Sequence, residues 1–116
     1  MASITIYQKS TCTTCRQVYK ALQESGVDFA AVDYYLKPIS KIKMKELLSK
    51  MGIPAVALLR KNEPRYKELK LSEKQLSEDE ILDLMTKHPG LIQRPIVEKG
   101  ARAILARPAN RLKEIL

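Results

Sequence analysis

Several features that would assign this sequence to a large class of proteins are missing from it. The 116 residues include no Trp, one Phe and two Cys, and aromatic residues make up 5% of the chain. No apolar run reaches the roughly 18 residues of a membrane span, so no membrane association is expected. The first seven residues carry no basic charge, so no signal peptide is expected either. A small cytoplasmic protein in a reducing compartment fits these absences best.

Acidic residues are few relative to basic ones. The chain has 21 Lys and Arg against 13 Asp and Glu, and the resulting net charge of +8 is split evenly between its two halves. This excess favours anionic ligands or partners. Nucleic acid is not expected among them, because aromatic residues are too few for base stacking and no helix-turn-helix or zinc-finger spacing occurs. No additional apolar stripe calls for a partner chain, so we expect a monomer.

The first third of the chain predicts a β-α-β unit. Residues 3–7 alternate and are rich in β-branched side chains, which is typical of a strand. Residues 13–25 follow a helical pattern that Gly26 can end. The apolar face of this helix is Cys15, Val18, Tyr19 and Leu22. Residues 29–34 predict a second strand, which should run parallel to the first because a helix connects the two.

The middle of the chain predicts helices. Ser40 can cap a helix that runs to about Lys50 and ends at Gly52. The expected apolar stripe of this helix is Ile42, Leu47, Leu48 and Met51. Ser77 can begin a further helix, because Glu80 three residues later completes a capping box. The expected core positions of that helix are Ile81, Leu82, Leu84 and Met85.

The last part of the chain predicts a β-hairpin and a short helix. Residues 95–98 and 101–105 are two strands around a turn with Gly at its tip. Pro108 can open a final helix that carries Leu112, Ile115 and Leu116. The whole order is β-α-β, a helical block and then β-β-α. We therefore expect a single α/β domain over residues 1–116, with a thioredoxin-like fold, a mixed sheet and a helical insertion at about residues 38–91.

The two cysteines form a C-x-x-C motif, Cys12-Thr13-Thr14-Cys15, where the first strand ends and the first helix begins. The free N–H groups and the dipole of a helix N-terminus stabilise an anion, which favours a thiolate at Cys12. The positive charge of Arg16 adds to this effect. Cys15 lies one helical turn away, close enough to form a disulfide with Cys12. Such a motif beside a β-α-β unit is typical of redox proteins, so Cys12 and Cys15 are the candidate catalytic pair.

Two other interpretations of the cysteine pair are structural. A zinc site would need two further ligands, and the chain has only one His, so no metal is expected. The second interpretation is inert burial of both cysteines, because Cys15 falls on the apolar face of the predicted helix.

Three arginines lie next to predicted core elements rather than in charged surface segments. Arg60 ends the apolar run at residues 57–59, and Arg94 and Arg107 each precede a proline at one end of the predicted hairpin. In a thioredoxin-like fold the proline before this strand has a cis peptide bond and lies against the active-site loop. Arg94 is therefore expected beside Cys12, and all three arginines are candidates for a functional role.

Several motifs occur in a fixed order along essentially the whole chain. They are residues 4–7, Cys12, residues 51–53, residues 57–62, His88-Pro89, residues 94–97 and Arg107-Pro108. Together they resemble the glutaredoxin-coupled arsenate reductases, the ArsC and Spx-like family of the thioredoxin-like superfamily. The fold that the resemblance implies, a thioredoxin-like sheet with a helical insertion, agrees with the order of predicted elements.

The resemblance implies a function for each candidate residue. Cys12 would attack arsenate, Arg60, Arg94 and Arg107 would bind the oxyanion and the arsenic adduct, and As(V) would be reduced to As(III). Glutathione is the implied co-substrate, with glutaredoxin completing the cycle and no bound metal or flavin. The spacing of Cys12 and Cys15 further predicts an intramolecular disulfide during the reaction, in which case thioredoxin could serve as reductant.

The sequence departs from the reductase pattern at two positions, which leaves alternatives open. Gln8 stands where some members carry a histidine that assists thiolate formation, and position 15 is often not cysteine in those reductases. The cysteine pair and residues 88–91 and 94–96 also resemble the Spx regulators, which bind RNA polymerase and sense disulfide stress. Gly52 would then match a glycine that contacts the polymerase. A general thiol–disulfide oxidoreductase that does not act on arsenate is a further alternative.

Overall fold

The computed structural model describes residues 3–116, which form two compact units. Residues 3–37 and 94–116 make up the first unit, and residues 38–93 make up the second. No helix in this part of the chain is both long and apolar enough to cross a membrane.

A four-stranded mixed sheet forms the centre of the first unit. Its strands are β1 (Ile4–Gln8), β2 (Phe29–Asp33), β3 (Ile96–Lys99) and β4 (Arg102–Leu105), in the order β2-β1-β3-β4. Strand β1 runs parallel to β2 and antiparallel to β3, and β3 and β4 form an antiparallel hairpin. The predicted β-α-β unit, the hairpin and the mixed sheet are therefore confirmed.

Helix α1 (Thr13–Ser25) connects the two parallel strands, as the helical pattern predicts. Gly26 ends the helix in the left-handed conformation, with φ of 75°, which a residue without Cβ adopts at little cost. Leu22 is fully buried, and burial of a leucine side chain contributes about 1.5–3 kcal/mol to stability. The core beneath α1 consists of Ile4, Ile6, Val18, Leu22, Val97, Ala106, Leu112 and Ile115.

The final segment differs from its prediction. Residues Ala109–Glu114 form a 3-10 helix rather than an α-helix, with the N–H of Arg111 donating to the carbonyl of Pro108 three residues earlier. Leu112 and Ile115 are buried as expected, whereas Leu116 is 46% exposed. Six residues give few hydrogen bonds to offset α-helix nucleation, so side-chain burial decides the geometry of this segment.

The second unit is helical. Its helices are α2 (Lys41–Met51), α3 (Ala55–Leu58), α4 (Pro64–Glu68) and α5 (Glu78–Lys87), with 3-10 turns at Leu71–Glu73 and Pro89–Leu91. The sequence pattern did not predict α3 or α4. Within this unit, an isolated antiparallel β-bridge pairs Leu59, just after α3, with Ile92.

The predicted ends of α2 are confirmed, but its apolar stripe is wrong at one position. The Ser40 hydroxyl accepts the N–H of Lys43 at 3.1 Å, and Gly52 ends the helix with φ of 68°. Ile42 is 81% exposed, whereas Met44 is fully buried with Leu47 and Leu48. Helical spacing explains this, because Met44 precedes the two leucines by three and four residues while Ile42 lies about 200° around the helix from Met44.

The capping box of α5 is confirmed. The Ser77 hydroxyl accepts the N–H of Glu80 at 3.1 Å, and the Glu80 carboxylate accepts the N–H of Ser77 at 3.1 Å. The Glu78 carboxylate accepts the N–H of Ala55 at 2.7 Å, which ties the start of α3 to α5. The buried residues of α5 are Ile81, Leu82 and Met85, while Leu84 is half-buried.

Candidate active site

Cys12 lies at the N-cap of α1, in the loop that follows β1. Its Sγ accepts the N–H of Cys15 at 3.4 Å, and its carbonyl accepts the N–H of Arg16 at 3.0 Å. The N–H of Cys12 donates to the carbonyl of Lys9 at 3.0 Å, so both the N–H and the carbonyl of Cys12 are hydrogen-bonded. The sulfur is half-buried and lies where the free N–H groups of the helix stabilise negative charge.

The Cys12 thiol ionises easily. Burial raises the pKa of Cys12, but hydrogen bonds from Cys15 and Arg94, with the charge of Arg94, lower that pKa to about 7. At neutral pH about half of the molecules therefore carry the nucleophilic thiolate. The acting cation is Arg94. The Arg16 guanidinium, which the sequence suggested for this effect, donates its Nε to the carbonyl of Ser10 at 3.3 Å.

The Cys15 thiol, unlike that of Cys12, resists ionisation. It is fully buried on the inner face of α1, and burial raises the pKa of its thiol to about 12. The negative charge of the Cys12 thiolate opposes ionisation of Cys15 further. Cys15 is therefore a protonated thiol at neutral pH, one helical turn from an ionised neighbour.

Arg94 is a buried cation with one donor left over. Arg94 is 6% exposed, and its Nη1 donates to the Tyr35 hydroxyl at 3.5 Å. Further hydrogen bonds link the guanidinium to Cys12 and to the Tyr34 hydroxyl. Within residues 3–116, Nε is buried and has no hydrogen-bond partner. Leaving a charged donor unsatisfied is costly, so an anionic acceptor at this position would stabilise the site.

The other two predicted arginines have different surroundings. The Arg107 side chain is exposed, and its Nη1 donates to the carbonyl of Arg94 at 3.2 Å. The peptide bonds Arg94–Pro95 and Arg107–Pro108 are both cis, the first of them as expected. Arg60 belongs to the second unit, where its Nη1 pairs with Glu63 at 3.2 Å and its backbone N–H donates to Leu91 at 2.7 Å.

Sequence reasoning missed three residues that lie around Arg94. Tyr34 is fully buried, and burial raises the pKa of its hydroxyl even though Arg94 acts in the other direction. The Tyr35 ring lies 5.2 Å from the Tyr34 ring, 5.9 Å from the Arg94 guanidinium carbon and 4.7 Å from Lys9 Nζ. Asp33 fixes this turn by accepting the N–H of Tyr35 at 3.0 Å.

One signal could have found the two tyrosines. They follow β2 directly, and Cys12 follows β1 after a short loop. Parallel neighbouring strands end at the same edge of a sheet, so residues after both strands meet there. The N–H of Tyr34 donates to the carbonyl of Gln8, the last residue of β1, at 3.2 Å, which shows that the ends of the two strands are adjacent.

The arrangement supports nucleophilic attack on an anion. A thiolate, a buried guanidinium with a free donor and a second thiol occupy one end of the sheet in the first unit. Guanidinium groups bind oxyanions through charge-assisted hydrogen bonds and so reduce their repulsion of a thiolate. Across the described residues, no group of three or more His, Cys, Asp or Glu side chains is arranged to hold a metal ion.

Comparison with known proteins identifies close relatives. A family model described as the ArsC family matches residues 7–115. An arsenate reductase of Escherichia coli is 38% identical over 116 residues, which cover all of this chain and 82% of that protein. An arsenate reductase of Neisseria meningitidis is 29% identical over the full length of both chains.

Solved structures of arsenate reductases are similar to this chain as well. An arsenate reductase from Vibrio cholerae superposes with a TM-score of 0.93 at 34% sequence identity, covering 99% of this chain and 98% of that one. The thioredoxin-like fold class predicted from the order of elements is thereby confirmed. The resemblance that the ordered motifs indicated is confirmed as well.

Proposed function

The chain belongs to the ArsC family, and we propose that it reduces arsenate to arsenite with the Cys12 thiolate as nucleophile. The observation that carries this proposal is the pairing of Cys12 with Arg94. A thiol with a pKa of about 7 shares its site with a buried guanidinium whose Nε has no partner among residues 3–116. The relatives named arsenate reductases make arsenate the first oxyanion to test.

The first step joins sulfur to arsenic. Arsenate is a dianion near neutral pH, so the negative thiolate approaches it only if positive charge offsets their repulsion. Arg94 supplies a charge that is permanent, because its guanidinium does not lose a proton in this pH range. An S–As bond then forms at Cys12, and one arsenate oxygen leaves as water after taking up protons. The product is a Cys12–As(V) adduct.

The second step transfers two electrons. The Cys15 thiol gives up its proton and attacks the Cys12 sulfur, so that an S–S bond forms and the S–As bond breaks. The electron pair of the broken bond stays on arsenic, which leaves as As(III), while the two sulfurs are oxidised to a disulfide. The position of Cys15 one turn from Cys12 gives a high effective concentration. Its raised pKa of about 12 slows the attack, and proximity outweighs this effect in the proposed cycle.

An external thiol then reduces the Cys12–Cys15 disulfide. We assign this step to glutathione with glutaredoxin, or to thioredoxin, without any bound cofactor. The half-buried Cys12 sulfur is the accessible one of the pair, because Cys15 is fully buried. The incoming thiolate is therefore expected at Cys12, with Cys15 as the leaving thiolate that takes up a proton.

The resemblance to the arsenate reductases also assigns oxyanion binding to Arg107 and Arg60. Arg107 donates one N–H to the carbonyl of Arg94 and has no other partner within residues 3–116, which leaves donors for a ligand and supports its assignment. The assignment of Arg60 rests on its motif alone. Replacing either residue by Met should raise the KM for arsenate about tenfold, while the pKa of Cys12 stays near 7. An unchanged KM in either variant would remove that residue from the site.

A donor-by-substrate matrix tests the proposal. Purified protein is incubated with arsenate and NADPH, with glutathione, glutaredoxin and glutathione reductase in one arm and thioredoxin with its reductase in the other. We expect arsenate-dependent NADPH oxidation in at least one arm and none with the Cys12→Ser variant. Equal rates of NADPH oxidation for wild type and the Cys12→Ser variant in both arms would reject arsenate reduction. A small disulfide substrate, reduced by wild type in the same experiment, would then identify a general thiol–disulfide oxidoreductase.

A further inference from the structure

Lys9 is a second cation beside the cysteine pair, and the steps described so far do not use it. It follows β1 directly, and its carbonyl accepts the N–H of Cys12 at 3.0 Å. Its own N–H donates to the Cys15 sulfur. The backbone of Lys9 therefore contacts both cysteines, and its side chain begins next to the nucleophile.

The Tyr35 ring contacts the Lys9 ammonium as well as Arg94. Lys9 Nζ lies 4.7 Å from the centroid of the ring, and the Arg94 guanidinium carbon lies 5.9 Å from it. Both distances are within the roughly 6 Å over which an aromatic ring attracts a cation. The Arg94 Nη1 also donates to the Tyr35 hydroxyl at 3.5 Å. One half-buried tyrosine thus joins two positive charges near Cys12.

Asp33 fixes the position of Tyr35 relative to the segment that carries Lys9. One of its carboxylate oxygens accepts the N–H of Tyr35 at 3.0 Å. The other accepts the N–H of Ser10, the residue after Lys9, at 3.5 Å. The ring and the lysine therefore lie on segments that a single carboxylate joins, and their contact is built into the fold of the first unit.

The two cations lack a counter-ion. Among the residues that the structure describes, no carboxylate forms an ion pair with Lys9 or with Arg94. The Nε of Arg94 is also buried without a hydrogen-bond partner in this part of the chain. Two positive charges at one ring repel each other, and an anion bound near both of them would offset this repulsion. The site therefore has more positive charge than Arg94 alone supplies.

We propose that Lys9, held by the Tyr35 ring, is a further anion-binding residue that draws oxyanions to Cys12. The inference rests on the proposed function, because the anion is the one that the Cys12 thiolate attacks. Lys9 acts as a point charge on the anion, whereas Arg94 supplies directed N–H donors. Tyr35 is a positioning residue, because its ring keeps the ammonium beside the site instead of in solvent.

Two alkylating reagents measure the charge at Cys12 without arsenate. Iodoacetate and iodoacetamide both lose iodide to the attacking sulfur, but only iodoacetate is negatively charged. Both react with the thiolate, so the ratio of their rate constants is independent of the Cys12 pKa. Lys9→Met should lower the ratio of the iodoacetate to the iodoacetamide rate constant about threefold at low salt. The difference should disappear at about 1 M salt, where charges are screened over about 3 Å.

Variants of Tyr35 test whether its ring acts through Lys9. Tyr35→Phe keeps the aromatic ring and should leave the ratio within about 1.5-fold of the wild-type value. Tyr35→Leu removes the ring and should lower the ratio about twofold, since the ammonium is then free to move into solvent. The double variant Lys9→Met/Tyr35→Leu should have the same ratio as Lys9→Met, because the ring then has no ammonium to hold.

Inorganic phosphate extends the test to a tetrahedral oxyanion. Phosphate bound beside Cys12 slows alkylation by iodoacetamide, and the phosphate concentration that halves the rate, at constant ionic strength, measures its affinity. Lys9→Met should raise this concentration about threefold. Lys20→Met is the matched control, because it removes the same charge from an exposed position on α1 where Lys20 pairs with Glu24 at 3.9 Å. This control should change neither the reagent ratio nor the phosphate concentration by more than about 1.5-fold.

Four results would overturn the inference. They are an unchanged reagent ratio in Lys9→Met, an equal loss in Lys20→Met, a further loss from Tyr35→Leu when Lys9 is already Met, and no protection of wild type by phosphate. The second would indicate the net charge of the chain, and the third would show that the ring acts through Arg94. Neither reagent is reduced, so a loss specific to Lys9→Met would stand even if arsenate turnover failed. Arsenate turnover with an unchanged ratio would reject only the role of Lys9.

Discussion

Removal of Arg94 should make the Cys12 thiol harder to ionise. The hydrogen bond and charge of Arg94 both lower the pKa of Cys12, which is about 7, while the N–H of Cys15 acts in the same direction from the helix. An opposite charge nearby lowers a pKa by about 1–3 units, and the half-exposed position of Cys12 favours the lower end of that range. Arg94→Met should therefore raise the pKa of Cys12 by about one unit, equivalent to about 1.4 kcal/mol.

The effect can be measured by alkylation with iodoacetamide across the pH range. The thiolate forms as pH rises, so at pH 7 its fraction should fall from about one half in wild type to about one tenth in the Arg94→Met variant. The alkylation rate at pH 7 should fall about fivefold, and the two proteins should converge above about pH 9.5. Mass spectrometry assigns the label to Cys12, because Cys15 is buried and protonated under these conditions.

Two further variants show whether the effect is specific. Arg94→Lys keeps a positive charge and should raise the pKa of Cys12 by less than Arg94→Met does. Arg102→Met removes a charge near the other end of the sheet. In the strand register, Arg102 lies opposite Lys99, and Lys99 lies opposite Ile4 at the start of β1. This variant should leave the pKa of Cys12 at about 7. A pKa near 7 in the Arg94→Met variant would refute the reasoning and leave the N-terminus of α1 as the sole cause.

Three other predictions address the second cysteine and the fold. After one turnover with arsenate and limiting glutathione, wild type should be two mass units lighter with both thiols protected from alkylation; a glutathione adduct on Cys12 with Cys15 free would show that Cys15 is a bystander. Leu22→Ala should destabilise the first unit by about 2–5 kcal/mol in urea unfolding, because Leu22 is fully buried. Ser77→Ala should cost about 1 kcal/mol in the same assay through loss of the α5 cap, with Ser77→Asp close to wild type.

Local interactions explain which parts of the fold could be predicted. The ends of α1, α2 and α5 depend on a capping side chain and on a glycine or a polar group within a few residues. Helices α3 and α4 have only four and five residues, too few to show a periodic pattern. The exposure of Ile42 was predictable from helical spacing, because Met44 precedes Leu47 and Leu48 by three and four residues and Ile42 lies on the other side of α2.

The candidate site was predictable where sequence neighbours define it. The C-x-x-C motif at a strand-to-helix junction identified Cys12, and the proline after Arg94 identified its cation. Tyr34 and Tyr35 were missed because their proximity to Arg94 depends on the parallel pairing of β1 with β2. The unsatisfied Nε of Arg94 could not be predicted either, since it depends on every neighbour that fails to accept a hydrogen bond.

Direct quantification of arsenite tests the central claim, that Cys12 reduces arsenate. Fully reduced protein, freed of external thiols, is mixed with excess arsenate, and As(III) is separated from As(V) and counted against protein. The Cys12–Cys15 pair can supply two electrons, so we expect about one arsenite per protein molecule, with both cysteines oxidised, and no arsenite from the Cys12→Ser variant. Arsenite from the Cys12→Ser variant at the wild-type level, or none from wild type even after glutathione is added, would contradict it.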